Sequence, residues 1–182
     1  MCVLTGCARF ARGLLLIMAF GFFALPVAAQ TQSVDAGLAP SSREWEKILP
    51  LAQNLKADGA AATAAKKPIL LFFNLTGCHY CRGALREVIV PMYRNAGWRA
   101  ALEFRQITVD DGKSLIDFDG KTIDNIAFAQ KRKATFTPTV MVVDGDGQLL
   151  GDPIIGVANF DFYGAYVDGL VNKAIAEMKA RK

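Results

Sequence analysis

The stretch "LTGCHYCRGALREV", residues 75–88, sets Cys78 and Cys81 two residues apart, with the chain's single histidine, His79, between them. Just before it runs "ILLFFN", residues 69–74, a continuous apolar segment too short to be a helix and read as a buried central strand. Thr76-Gly77 turns the chain. Beyond the turn, Ala84, Leu85, Val88 and Ile89 line one side of a helix predicted from Cys78 to Asn95, with a kink at Pro91. A Cys-x-x-Cys that follows a buried strand and opens a helix is a specific constellation.

The spacing lets the two sulfurs join in one short disulfide. The first cysteine stands at the positive end of the helix dipole, among unpaired backbone N–H groups. Those groups stabilise a thiolate, the attacking species in disulfide exchange. Cys78 is therefore the expected nucleophile. Cys81, one turn further in, is the expected resolving thiol. His79 is a candidate local cation for the Cys78 thiolate, and Tyr80 packs beside the site. Three other readings compete. A purely structural disulfide would close a very short loop and gain little from it. A zinc site would lack ligands, since two cysteines and one histidine do not complete a four-ligand set. A scaffold that only binds would have no need of both cysteines.

Outward from this site, the N-terminus carries an export signature. Residues 1–13 hold Arg9 and Arg12 and no acid, and "LLLIMAFGFFALPVAA", residues 14–29, is uncharged. Pro26 interrupts the run, and Val27-Ala28-Ala29 supplies small exit residues, so a secretory signal over 1–29 with cleavage after Ala29 is expected. The run is shorter than the ~20 residues of a spanning helix. "LTGC" at 4–7 precedes the apolar run, which argues against lipid attachment at Cys7. Cleavage would remove Cys2 and Cys7 and leave Cys78 and Cys81 as the only cysteines. It would also leave 19 basic against 17 acidic residues, a net charge of +2. That charge makes no case for nucleic acid or a membrane surface as partner.

Residues 30–40 are small and polar and read as a flexible start. An N-terminal helix is predicted from the capping-box pair Ser41 and Glu44, through Trp45, Ile48, Leu49, Ala52 and Leu55, to Ala65. Pro50 and Gly59 are its expected weak points. After the cysteine helix come a strand at 102–110, a small hairpin or ordered loop around Asp119-Gly120, a short helix in "DNIAFAQKRK" and a strand at 137–144. The "GDGQ" turn leads to a strand in "LLGDP", and an amphipathic helix closes the chain over 160–180. Such alternation implies a layered α/β fold with helices on both faces of a sheet. Residues 30–67 then form the start and N-terminal helix, and 68–182 the domain proper.

Taken together, "GCHYC" opening a helix, "TPT" opening a strand, "DGDGQ", and a glycine before the last helix resemble the thioredoxin superfamily over residues 68–180. "DFDGK" ahead of the short helix and "TPT" is similar to periplasmic thioredoxin-related proteins of the SoxW type. The resemblance implies a thioredoxin fold with Pro138 in cis. It also implies that Thr137 and Pro138 lie beside the cysteines and shape a substrate groove. Two departures stand out. His-Tyr replaces the Gly-Pro of thioredoxin, and Phe72 stands where thioredoxin has a buried aspartate, so a proton shuttle for Cys81 is missing there. Tyr80 and Thr137 are similar to residues of the periplasmic isomerases DsbC and DsbG, yet residues 30–67 are too short and too helical for the dimerisation domain of those proteins.

The expected function is a secreted, periplasmic thiol–disulfide oxidoreductase that reduces protein disulfides. Disulfide isomerase or oxidase activity, and thiol-based copper handling, stand as alternatives. No Gly-rich nucleotide fingerprint follows a strand, so no small-molecule cofactor is expected. Electrons for a reductase would then come from a membrane partner.

Overall fold

The structure is a computed structural model, and it describes residues 44–181. The expected signal segment, the polar stretch at 30–40 and the Ser41 cap lie outside the described residues. Strand β1 (Ile69–Asn74) is buried along its whole length. It pairs in parallel with β2 (Glu103–Thr108) and antiparallel with β5 (Thr139–Val143), which in turn pairs with β6 (Ile154–Ile155). The sheet order is β2-β1-β5-β6. A separate hairpin joins β3 (Ser114–Ile116) to β4 (Thr122–Asp124), as the Asp119-Gly120 pair predicts.

The two-residue period of β1 divides the core between the two faces of the sheet. Leu70 and Phe72 point into a cluster with Cys81, Leu85, Ile89, Val167 and Val171. Ile69, Leu71 and Phe73 point into another, with Leu55, Ala62, Phe128 and Met141. Helices α2 (His79–Ala84), α3 (Val90–Arg94) and α6 (Phe160–Ala180) therefore cover one face. Helices α1 (Leu55–Ala65) and α5 (Asn125–Lys131) cover the other. Short α4 (Ala96–Ala101) leads into β2. Burying a Leu or Phe side chain stabilises by about 1.5–3 kcal/mol, so this one strand carries a large share of the core.

Four expectations are corrected. The N-terminal helix is not continuous. Trp45–Lys47 form one 3₁₀ turn, and α1 starts only at Leu55, capped by Asn54, whose side chain accepts from the Ala57 N–H. Between them the chain lies along the β2 edge, where the Gln106 N–H donates to Pro50 (2.8 Å) and the Ala52 N–H to Gln106 (2.9 Å). Pro50 cannot continue a helix, and the open strand edge satisfies the backbone instead.

Gly59 does not break α1. Its missing side chain lets the helix touch the turn after β5, where an added Cβ would overlap the Gly145 carbonyl.

The cysteine helix is disturbed one turn before Pro91. Leu85–Ile89 form a π turn, and the Val90 N–H bonds the Leu85 carbonyl. Pro91 has no N–H to give the Glu87 carbonyl, and its ring would crowd that oxygen; the widened turn absorbs both conflicts.

The last strand is Ile154–Ile155, not "LLGDP". Leu149 makes only an isolated bridge to Val143, because Gly151 adopts φ +111° and turns the chain away.

Candidate active site: a disulfide at the head of a helix

Gly77 makes the turn out of β1 at φ +71°, a conformation that a side chain would oppose. The turn is tied to the end of β2. The Asp110 carboxylate accepts from both the backbone N–H of Thr76 (2.8 Å) and its hydroxyl (3.0 Å). Arg82, one turn into α2, reaches back to the Gly77 carbonyl at 2.9 Å. These bonds set Cys78 as the N-cap residue of α2.

Cys78 and Cys81 are joined in a disulfide, with Cα atoms 5.2 Å apart. Cys78 is half-buried, whereas Cys81 is 0% exposed. The Cys78 sulfur accepts from the Cys81 backbone N–H at 3.1 Å. In the reduced protein this N–H and the helix dipole favour a thiolate at Cys78. The accessible sulfur is thus also the electrostatically favoured one. Phe72 is fully buried in the same cluster as Cys81, so the strand beneath the dithiol offers no proton acceptor at that position.

Across from the disulfide, the Thr137-Pro138 peptide is cis. The Thr137 hydroxyl donates to the Cys78 sulfur at 3.8 Å. The Pro138 carbonyl accepts from the Gly156 N–H (2.7 Å), which ties this loop to the end of β6. Thr139 is buried, and its hydroxyl donates to the Phe136 carbonyl (2.7 Å). Phe136 itself is 69% exposed, and Ile155 is exposed as well. Thr137 also lines a cavity of about 230 Å³, together with Leu75, Val109, Ile126 and Ala134. Apolar surface thus borders the disulfide.

The chain's candidate residues therefore come together: Cys78, Cys81 and Thr137 directly, and Pro138 through the same loop. His79 and Tyr80 are exposed, and the His79 ring meets the Tyr80 ring edge-on at 5.8 Å. The Tyr80 ring also stacks on Phe160, with centroids 6.4 Å apart and planes 12° apart. Phe160 and the Thr76–Asp110 tie are absent from the sequence reading. A glycine at position 83, inside a helix where alanine is favoured, is the local signal that could have found a close contact there.

A thioredoxin-like domain family model matches residues 55–168, more than half of the chain. No curated protein sequence matches it. Among solved structures, the chain is similar to a thioredoxin-fold protein from Helicobacter pylori (16% identity, TM-score 0.48, covering 74% of this chain and 92% of that one). It is also similar to oxidised mitochondrial thioredoxin 3 from Saccharomyces cerevisiae (22% identity, TM-score 0.46, covering 72% and 99%). A third similar structure is Trxlp from Edwardsiella tarda (20% identity, TM-score 0.45, covering 63% and 92%). With its family match and its Cys78–Cys81 disulfide, the chain belongs to the thioredoxin-like domain family and is a thiol–disulfide oxidoreductase.

Proposed function

We propose that the protein is an exported reductase of protein disulfides, of the SoxW-like periplasmic kind, recharged by a membrane electron donor. The observation that carries this reading is the half-buried Cys78 sulfur, held between the Cys81 N–H and the Thr137 hydroxyl and bordered by apolar surface. The Cys78 thiolate attacks one sulfur of the substrate disulfide. That S–S bond breaks, a mixed disulfide forms, and the first substrate sulfur leaves as a thiolate that takes a proton from water. Cys81 then gives its proton to water and attacks the Cys78 sulfur, the mixed disulfide breaks, and the second substrate sulfur leaves as a thiolate that takes a proton from water. Two electrons pass to the substrate, and the Cys78–Cys81 disulfide is left for the donor to reduce.

Export is supported by Arg9 and Arg12, the uncharged run at 14–29 and the Val27-Ala28-Ala29 exit. The direction of electron flow is tested by equilibrating the Cys78–Cys81 pair with glutathione. A potential near that of thioredoxin, about −270 mV, supports a reductase, and one near about −120 mV makes the protein an oxidase. Export is tested by the N-terminus of protein recovered from the periplasm, expected near Gln30. Retention of residues 1–29 in the exported protein contradicts cleavage.

A further inference from the structure

Gly83 sits inside α2, away from the left-handed region that glycine alone favours. Its conformation therefore does not require glycine, and an alanine there would favour the helix. Space explains it. A Cβ on Gly83 would overlap the ring of Phe160, the first residue of α6. The Phe160 ring lies on the bare helix face and presents its other surroundings to two aromatic partners. Outward, it stacks with Tyr80 at 6.4 Å and 12°. Inward, it meets Tyr163 edge-on at 6.3 Å and 67°, and Tyr163 is only 2% exposed. The Asn159 side chain caps α6 by accepting from the Asp161 N–H at 2.8 Å, which fixes the turn that bears Phe160. A file of rings thus runs from the core to the dipeptide between the two cysteines. Its outer member, Tyr80, remains 57% exposed. An exposed aromatic ring held in one orientation beside a reactive sulfur is a preorganised contact surface.

We propose that Phe160, seated on Gly83, is the positioning residue for Tyr80, and that the Tyr80 ring so held sets affinity for the polypeptide flanking a substrate disulfide. The occupant is a chain segment with an apolar side chain next to its disulfide, since Tyr80 stands two residues from Cys78 and leaves its ring 57% exposed. The inference rests on the reading of the protein as a reductase of protein disulfides.

The test is steady-state reduction of insulin by the full-length mature protein, with dithiothreitol as electron source. Phe160→Leu and Gly83→Ala are both expected to raise KM about three- to tenfold with kcat within about twofold of wild type. In a Tyr80→Ala background, Phe160→Leu is expected to change KM no further, because the two residues act as one unit. Gly83→Ala guards against a folding artefact, since it removes no native side chain and acts on the Phe160 ring alone. A wild-type KM in Phe160→Leu overturns the inference, as does a full additional effect of Phe160→Leu on top of Tyr80→Ala. Wild-type protein that does not reduce insulin overturns the reductase reading and this inference with it. Turnover by wild type together with unchanged KM in the variants overturns the positioning role alone.

Discussion

The Thr137 hydroxyl points at the Cys78 sulfur from 3.8 Å, across 59 residues of sequence. The contact joins the head of α2 to the loop before β5, and among the described residues it is the one side-chain hydrogen bond made to the Cys78 sulfur. Replacing the hydroxyl with a methyl in Thr137→Val keeps the shape and removes the donor. The Cys78 thiolate is then less stabilised, so a smaller fraction is present at neutral pH. Alkylation of reduced protein by iodoacetamide at pH 7 is expected to slow about two- to tenfold, the equivalent of roughly 0.4–1.4 kcal/mol. An unchanged rate means that the helix end alone holds the thiolate.

Cys78 is the more exposed of the two sulfurs, which makes it the expected attacking thiol and Cys81 the expected resolving one. Cys78→Ser is expected to abolish disulfide exchange. Cys81→Ser is expected to accumulate mixed disulfides with substrate, visible on non-reducing gels, since attack proceeds and nothing resolves the product. Faster alkylation of Cys81 than of Cys78 in the reduced wild type would reverse the assignment.

The crossing of α1 over the turn after β5 depends on two glycines. Alanine in a helix interior is ordinarily favoured over glycine by about 1 kcal/mol. At Gly59 the sign reverses, because the new methyl would overlap the Gly145 carbonyl, which belongs to the backbone and has little room to move. Gly59→Ala is expected to destabilise the fold by about 1–3 kcal/mol, measured as a lower midpoint in urea at unchanged slope. A stabilised variant would show that the helix shifts freely.

Tyr163 is almost fully buried, and its hydroxyl has no hydrogen-bond partner among the described residues. Burial pushes its ionisation well above the usual tyrosine range. The folded state thus favours the neutral phenol more than the unfolded state does. The stability this gives is intact below about pH 10, the tyrosine value in the unfolded chain, and declines as pH rises beyond it. Tyr163→Phe is expected to remove that part of the alkaline loss and to stabilise the protein at pH 7 by about 1 kcal/mol, because an unmet polar group leaves the core. Urea midpoints at pH 7 and pH 11 read both effects. A destabilised Tyr163→Phe at pH 7 would mean that the hydroxyl is bonded after all.

Much of this molecule was legible from residue order, wherever a short stretch carries a strong and unopposed signal. "ILLFFN" reads as a buried strand because no charge interrupts it, and it lies in the middle of the sheet. The closing helix reads at its full length, Phe160–Ala180, because its apolar positions keep helical spacing for several turns. The cysteine pair reads as a reactive centre because strand, turn and helix start fall within a dozen residues. Misreadings arose where distant backbone outcompeted local pattern. Trp45 to Leu55 has helical spacing, yet residues 50–52 bond to Gln106 on the β2 edge instead. "LLGDP" has strand-like residues, yet the pairing partner of β5 is Ile154–Ile155.

Sequence alone placed the cysteine pair at the start of a helix that follows a buried strand, because that arrangement depends on neighbours only a few residues away. Tertiary structure decided what surrounds those cysteines. It brought Thr137 to the Cys78 sulfur, tied Thr76 to Asp110 and laid Phe160 on Gly83 beneath Tyr80. Each of these contacts closes a loop of 34 or more residues. Such contacts form only after the sheet has paired and the helices have packed, so no pattern within a single segment encodes them.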